Sequence, residues 1–289
     1  MGCRKEKMMK HLFLSLFVVI SLSAGAQKIE STVPADEEDP YVLLCGQADK
    51  AVADGDFAGA AQRLLEAMSL RPDSPQNVLL LSNLGMIYSY MDNDSMAIAV
   101  LDEAVRRAPE LRTAQANRGE VLLKLGRDKE ASEAFEKVIA ADSLNIDARY
   151  YHGTIALYSG KLDAAEADFN VLRSIVPEAL TTARALGMLY SLSGRDRDAL
   201  PYLRKLVSLE PAPEYYAALA GSLLALSELS EASGVLAEGL ERYHDDPELY
   251  YYRAILNRDR FLLDDARADA ARAAALGVNP KRIAAIFAK

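Results

Sequence analysis

The stretch "SGKLDAAEADFNVLRSIVP", residues 159–177, is matched 34 residues later by "SGRDRDALPYLRKLVSLEP", residues 193–211. Both begin with Ser-Gly and a basic residue, and both end in Pro. Each carries Ala six residues after the Ser and a large apolar residue four residues beyond that Ala. Most other positions differ. A few fixed positions at a fixed period are the signature of a repeat architecture.

The same three positions recur in seven units along the chain, at spacings of 33 to 37 residues. The Ala of the opening stretch corresponds to Ala60, Ala97, Ala131, Ala165, Ala199, Ala232 and Ala266. Twelve residues before each of these lie Ala48, Gly85, Gly119, Gly153, Gly187, Ala220 and Ala254. Four residues after each lie Leu64, Leu101, Phe135, Phe169, Leu203, Leu236 and Ala270. All fourteen of the first two sets are Gly or Ala, which indicates close packing at both positions.

Each unit contains two segments in which apolar residues recur at intervals of three and four, as in an amphipathic helix. Gly126, Gly160 and Gly194 fall between the two segments, where a helix end requires a left-handed residue. A Gly within a helix costs about 0.5–1 kcal/mol relative to Ala. Four such Gly in register therefore indicate that two helices approach closely there. The sequence predicts a helical hairpin in every unit.

This pattern resembles the tetratricopeptide repeat family over residues 41–278. The resemblance rests on small residues at positions eight and twenty of the repeat, Leu or Phe at position twenty-four, and Pro at position thirty-two in four units. Ser227 and Phe261 replace the turn Gly in the last two units, so the sequence marks those two turns less clearly. The resemblance implies an all-α protein: a right-handed α-solenoid of about seven helical hairpins, concave on the face of the first helices.

The amino-terminal segment has the composition of a signal peptide. Residues 1–26 comprise a basic start, an apolar run and "AGA" before Gln27. We therefore expect export, with the chain periplasmic or secreted after cleavage; an uncleaved membrane anchor is the alternative. Residues 27–40 are polar and acidic and predict a flexible lead-in. Asp39 is suited to cap a helix that begins at Pro40.

The carboxyl terminus, residues 279–289, predicts a short capping helix. Ile283, Ile286 and Phe287 would lie on one face and pack over the last hairpin, because a stacked array needs a lid. Arg282 would face water. The predicted solenoid therefore ends in a closing element.

Charge and motifs restrict the kind of function. The net charge is −9 and residues 1–26 carry +3, so the mature chain would carry −12. Such a chain is a poor partner for nucleic acid or anionic membrane. His152 and His244 lie in different units, and no metal, nucleotide or nucleophile motif occurs. Cys45 alone remains after cleavage, which excludes an intramolecular disulfide. The sequence predicts no enzyme and no cofactor.

The resemblance also implies which residues line the concave face. They would be Tyr90, Lys124, Asp147, Tyr150, Tyr158, Arg184, Met188, Tyr251, Arg258 and Asp259. Counted over all units, the groove positions hold three bases and six acids, which favours a basic or mixed partner segment. The six acids are Asp49, Glu120, Asp147, Glu214, Glu248 and Asp259. Asn83 and Asn117 resemble the Asn positions of the clamp with which cochaperone members bind acidic chain termini. The Lys positions of that clamp are not filled.

The leading hypothesis is an exported, non-catalytic scaffold that holds a peptide or helix of another protein in this groove. A self-assembly or structural module of the cell envelope is the alternative, suggested by the small-residue surface of Ala270, Ala273 and Ala274. A regulatory subunit of an enzyme is the third. The sequence identifies no particular partner and no oligomeric state.

Overall fold

A computed structural model describes residues 39–288 as α-helices joined by short turns. The predicted signal peptide and nearly all of the predicted lead-in lie outside these residues. No strand occurs in the described range. The helices are α1 (Pro40–Ala53), α2 (Phe57–Leu70), α3 (Asn77–Tyr90), α4 (Asp94–Arg107), α5 (Arg112–Lys124), α6 (Asp128–Ala141), α7 (Ile146–Tyr158), α8 (Leu162–Ile175), α9 (Leu180–Leu192), α10 (Asp196–Leu209), α11 (Pro213–Ala225), α12 (Leu229–Arg242), α13 (Pro247–Asp259), α14 (Leu263–Ala275) and α15 (Pro280–Ile286).

The described helices fall into two compact units, which meet in sequence between residues 152 and 153, inside α7. In the amino-terminal unit α1 pairs with α2, α3 with α4, and α5 with α6, and the first helices α3 and α5 also touch. In the carboxy-terminal unit α9 pairs with α10, α11 with α12, and α13 with α14. The predicted all-α array of consecutive helical hairpins is confirmed.

The recurring small residues are the contact points of these hairpins. The Ala at the recurrent position of every second helix is fully buried, from Ala60 to Ala266, at 0% exposure. The large residue four positions later is buried as well, and Phe135 and Phe169 are among the largest fully enclosed side chains. The period of the sequence is therefore the period of the hairpin contact.

The Gly residues of the first helices make room for the large residue of the second helix. A Cβ atom at Gly153 would lie 2.5 Å from Cε1 of Phe169, and one at Gly119 would lie 2.8 Å from Cζ of Phe135. At Gly187 the nearest atom, Cδ2 of Leu203, would be 3.2 Å away. A Cβ at Gly85 would lie 2.4 Å from Cγ of Leu101, so the predicted close approach occurs against both aromatic and aliphatic residues.

We expect Gly153→Ala to lower the free energy of unfolding by about 1–2 kcal/mol. The added methyl overpacks the hairpin, and this cost exceeds the helix-propensity gain of about 0.5–1 kcal/mol. Gly187→Ala is the matched control and should change stability by less than about 0.5 kcal/mol, because Cδ2 of Leu203 would be 3.2 Å from the new Cβ and needs to move only slightly. Urea denaturation followed by circular dichroism measures both. Equal effects of the two substitutions would contradict the assigned contacts.

The turns inside the hairpins keep one backbone conformation even where Gly is absent. Gly126, Gly160 and Gly194 have φ angles of 72°, 78° and 71°. Ser227 and Phe261 adopt the same left-handed conformation, with φ of 61° and 63°. The last two hairpins are therefore turned like the others, although the side chain at Phe261 makes this conformation costly.

In three hairpins a polar side chain of the first helix bonds to the end of the preceding helix. Asn77 Nδ2 donates to the carbonyl of Arg71 at 2.7 Å, and Gln115 Nε2 donates to that of Pro109 at 3.0 Å. Thr182 Oγ1 donates to the carbonyl of Val176 at 2.8 Å. These bonds occupy carbonyls that a helix end leaves without an intrahelical partner.

The carboxyl-terminal helix α15 packs on α13 and α14. Ile286 is 2% exposed and joins Ala254 and Ala270 in one apolar cluster. Arg282 does not extend into water as the sequence suggested. It donates to both carboxylate oxygens of Glu248, at 2.5 and 2.7 Å, because the last hairpin places that acid beside α15.

Candidate functional site

Each unit has a candidate site on its first-helix face, meaning the surface of the first helices of its hairpins. In the amino-terminal unit these are α1, α3, α5 and α7 up to residue 152, and in the carboxy-terminal unit they are the rest of α7, α9, α11 and α13. The predicted groove residues all lie on these helices. Tyr90, Lys124, Asp147 and Tyr150 belong to the amino-terminal unit. The carboxy-terminal unit holds Tyr158, Arg184, Met188, Tyr251, Arg258 and Asp259. The two units are described separately.

Lys124 is held by acids of the preceding hairpin. Its ammonium group donates to Asp94 Oδ1 at 2.8 Å, to Asp92 Oδ1 at 3.0 Å and to the carbonyl of Ser89 at 2.8 Å. The pKa of Lys124 is raised by these partners, which outweigh its partial burial. Its positive charge is therefore balanced inside the unit.

Two acids on the same face have no such balance. Glu120 of α5 is half-buried, and among residues 39–288 its carboxyl makes no hydrogen bond or ion pair. Burial, reinforced by the charge of Asp147, raises the pKa of Glu120 to about 7. The Asp147 carboxyl likewise has no hydrogen bond or ion pair in that range, and lost hydration raises its pKa. The two carboxyls therefore disfavour each other's charge.

The charges of these acids act on two tyrosines, Tyr90 and Tyr151. Burial and the charge of Glu120 raise the pKa of Tyr90, which is 44% exposed and packs on Phe57 with ring centroids 5.4 Å apart. Tyr150 and Tyr151 are buried and meet edge to face at 5.6 Å. Burial, Glu120 and Asp147 also raise the pKa of Tyr151. The acids therefore lie in a poorly hydrated, aromatic setting.

Exposed apolar side chains lie at the ends of the same first helices. Tyr90 is the last residue of α3 and is followed by Met91, which is 42% exposed. Leu125 follows the last residue of α5 and is 40% exposed. Aromatic residues and Met are enriched at the centres of protein interfaces.

In the carboxy-terminal unit the charge of Arg184 is paired within the chain. It is 9% exposed and forms a forked ion pair with Glu210, with Nε to Oε2 at 3.0 Å and Nη2 to Oε1 at 2.5 Å. Tyr158 and Met188 are both half-buried. An Arg→Glu change at residue 184 would place two acids together, so it tests stability before it tests binding.

Tyr251 and Arg258 contact the carboxyl-terminal helix. The guanidinium of Arg282 lies 4.1 Å from the ring centroid of Tyr251. Arg258 donates to Asp259 Oδ1 at 2.8 Å and to the carbonyl of Ile286 at 2.7 Å. These predicted groove residues therefore hold α15 in place.

All three bases at the predicted groove positions are thus paired within the chain, whereas Glu120 and Asp147 are not. Sequence reasoning counted Glu120 among the groove acids but did not single it out. Its position, nine residues into its repeat, was the available signal. Asn117, compared above with the clamp residues, donates to Ser82 Oγ at 3.0 Å and is also engaged.

Residues 39–288 contain no group of three or more His, Cys, Asp or Glu side chains arranged to hold a metal ion. None of the helices in this range combines the length and the apolar composition needed to span a bilayer. The site is therefore described by its aromatic, apolar and acidic side chains.

Comparison with known proteins agrees with the fold. Residues 95–146 match a family model described as tetratricopeptide repeat. No curated protein sequence matches the chain significantly. A tetratricopeptide repeat protein from Parabacteroides merdae ATCC 43184 superposes with a TM-score of 0.64 at 20% identity, covering 86% of this chain and 97% of that one. PilW, a widely conserved type IV pilus biogenesis factor, superposes at 0.63 with 20% identity, covering 74% of this chain and 98% of PilW.

A third solved structure, the APC/C hetero-tetramer Cut9–Hcn1, gives a TM-score of 0.61 at 14% identity over 85% of this chain and 54% of that one. At these identities the structural likeness concerns the fold. The family match covers residues 95–146, and the described chain shares its fold of consecutive helical hairpins with solved tetratricopeptide repeat structures.

Proposed function

We propose that this protein is an exported, non-catalytic scaffold that binds a peptide or helix of a partner protein on its first-helix face. The observation that carries the proposal is an array of hairpins whose first helices present exposed Tyr90, Met91 and Leu125 beside unpaired acids. Amphipathic segments bind in such faces through apolar anchor residues. Export rests on the composition of residues 1–26.

The alternative, a self-assembly module, loses the feature that suggested it. Ala270 and Ala273 are 3% and 0% exposed, and α15 packs on the helix that carries them. Only Ala274 of that set is exposed. The last hairpin therefore offers no open small-residue surface of the predicted kind.

Site-specific photo-crosslinking in the native envelope tests the proposal. A benzoylphenylalanine at position 158 or 188, on the first-helix face of the carboxy-terminal unit, should capture one dominant foreign protein. The matched control is Ser174, an exposed residue on the second helix α8. It should capture little.

The outcomes separate the hypotheses. Equal capture from position 174 would move binding to the second helices and contradict the first-helix face. Crosslinks only to a second copy of this chain would favour self-assembly. Mass spectrometry of the adduct identifies the partner in either case.

A further inference from the structure

We propose that the first-helix face of the amino-terminal unit binds a partner segment that places a Lys or Arg side chain against Glu120 and Asp147 and an adjacent apolar side chain on Tyr90, Met91 and Leu125. This inference rests on the proposed function and specifies the chemistry of the partner segment. The occupant is a basic, apolar segment of another protein. We call this part of the face the acidic-aromatic surface.

The acids of the acidic-aromatic surface are not balanced by a base of the same unit. The base that this unit contributes to the predicted groove, Lys124, is neutralised by Asp92 and Asp94 at 3.0 and 2.8 Å. It is therefore not available to Glu120 and Asp147. Neither of these acids makes an ion pair within residues 39–288. The surface therefore lacks a positive charge to balance these two acids.

Glu120 and Asp147 are both in positions that disfavour a negative charge. The Glu120 side chain is half-buried, and the Asp147 charge acts on it. A carboxylate in such a place lacks compensation for its lost hydration. An incoming ammonium or guanidinium would supply that compensation for both acids.

The acidic-aromatic surface also includes exposed apolar side chains. Tyr90, Met91 and Leu125 are 44%, 42% and 40% exposed, at the ends of the two helices adjacent to the acids. An occupant that carries only charge would leave them uncovered. An anionic membrane surface is disfavoured, because the neighbouring charges are carboxylates. A segment with an apolar residue near its base fits both halves of the surface.

Selection of short random peptides displayed on phage tests the inference with defined proteins. Residues 27–289 of the wild-type chain are compared with Glu120→Gln/Asp147→Asn. The matched control is Glu66→Gln/Glu133→Gln, which removes two exposed carboxylates from the second helices of the same unit. Circular dichroism checks that all three proteins are folded.

We expect wild-type and control proteins to select peptides in which Lys or Arg lies close to an apolar residue. The Glu120→Gln/Asp147→Asn variant should lose the basic preference and bind a selected synthetic peptide about tenfold more weakly, as expected when a charged hydrogen-bond partner is lost. Replacing the base of that peptide by Gln should weaken wild-type binding equally and leave variant binding unchanged.

Selected peptides without enrichment in Lys or Arg, or peptides that bind wild type and variant equally, would overturn the inference while leaving peptide binding itself intact. Failure to select any peptide on the wild-type protein would overturn both the inference and the proposed function. A pH series adds an independent readout. Affinity for the basic peptide should rise as pH increases through about 7 in the wild type, following the pKa of Glu120, and not in Glu120→Gln.

Discussion

Replacing Phe169 with Ala should lower the free energy of unfolding by about 3–5 kcal/mol, the usual cost of emptying the site of a buried Phe. Phe169 is 0% exposed, and its ring lies against Gly153, where no side chain is present to move into the space. The cavity would therefore stay open. Urea denaturation followed by circular dichroism gives the change, and an unchanged midpoint would show that the ring is not enclosed as described.

Two further substitutions serve as controls for this result. Phe169→Leu should cost less than about 1.5 kcal/mol, because Leu203 occupies the same register position in the next hairpin. Phe261→Ala removes the same ring from a site that is 88% exposed, and should change stability by less than about 0.5 kcal/mol. A loss at Phe261 as large as that at Phe169 would mean that the exposed turn is buried in another copy or partner.

The fold could be predicted because every hairpin solves the same packing problem with the same residues. A second helix that carries Phe135 or Phe169 can approach the first helix only where Gly119 or Gly153 leaves room. This requirement repeats in every unit, so it appears in the sequence as a period. A contact that occurs only once in the fold produces no period in the sequence.

The charge pairs could not be predicted in this way. Arg184 and Glu210 are 26 residues apart, and the chain holds 33 basic and 42 acidic residues. Which acid reaches Arg184 depends on side-chain direction at the end of the next helix. The sequence therefore placed Arg184 on the binding face, whereas the structure shows that its charge is already used.

The turn at Phe261 shows a second limit of sequence reasoning. No Gly marks this turn in the sequence. The structure keeps φ at 63°, and Arg260 beside it donates to the carbonyl of Leu229 at 2.8 Å. Packing between hairpins therefore outweighs the preference of a single residue.

Stability should depend on pH through Glu120, and Glu120→Gln should remove that dependence. The pKa of Glu120 is about 7 in the folded chain, against an ordinary value of 4.5, because burial and Asp147 oppose its charge. The folded state therefore holds the proton more tightly than the unfolded state. As pH rises from 4.5 to about 7 the folded wild-type chain loses stability, at up to about 1.4 kcal/mol per pH unit.

Over this window we expect Glu120→Gln to become more stable than wild type by about 2–3 kcal/mol, and to match it below pH 4.5. Denaturation curves at several pH values measure the difference, and Glu133→Gln on the exposed side of α6 is the control that should show no such window. Parallel curves for wild type and Glu120→Gln would contradict the described environment of Glu120. A bound basic peptide should move the window to lower pH, because a cation beside Glu120 lowers its pKa and stabilises the charged carboxylate.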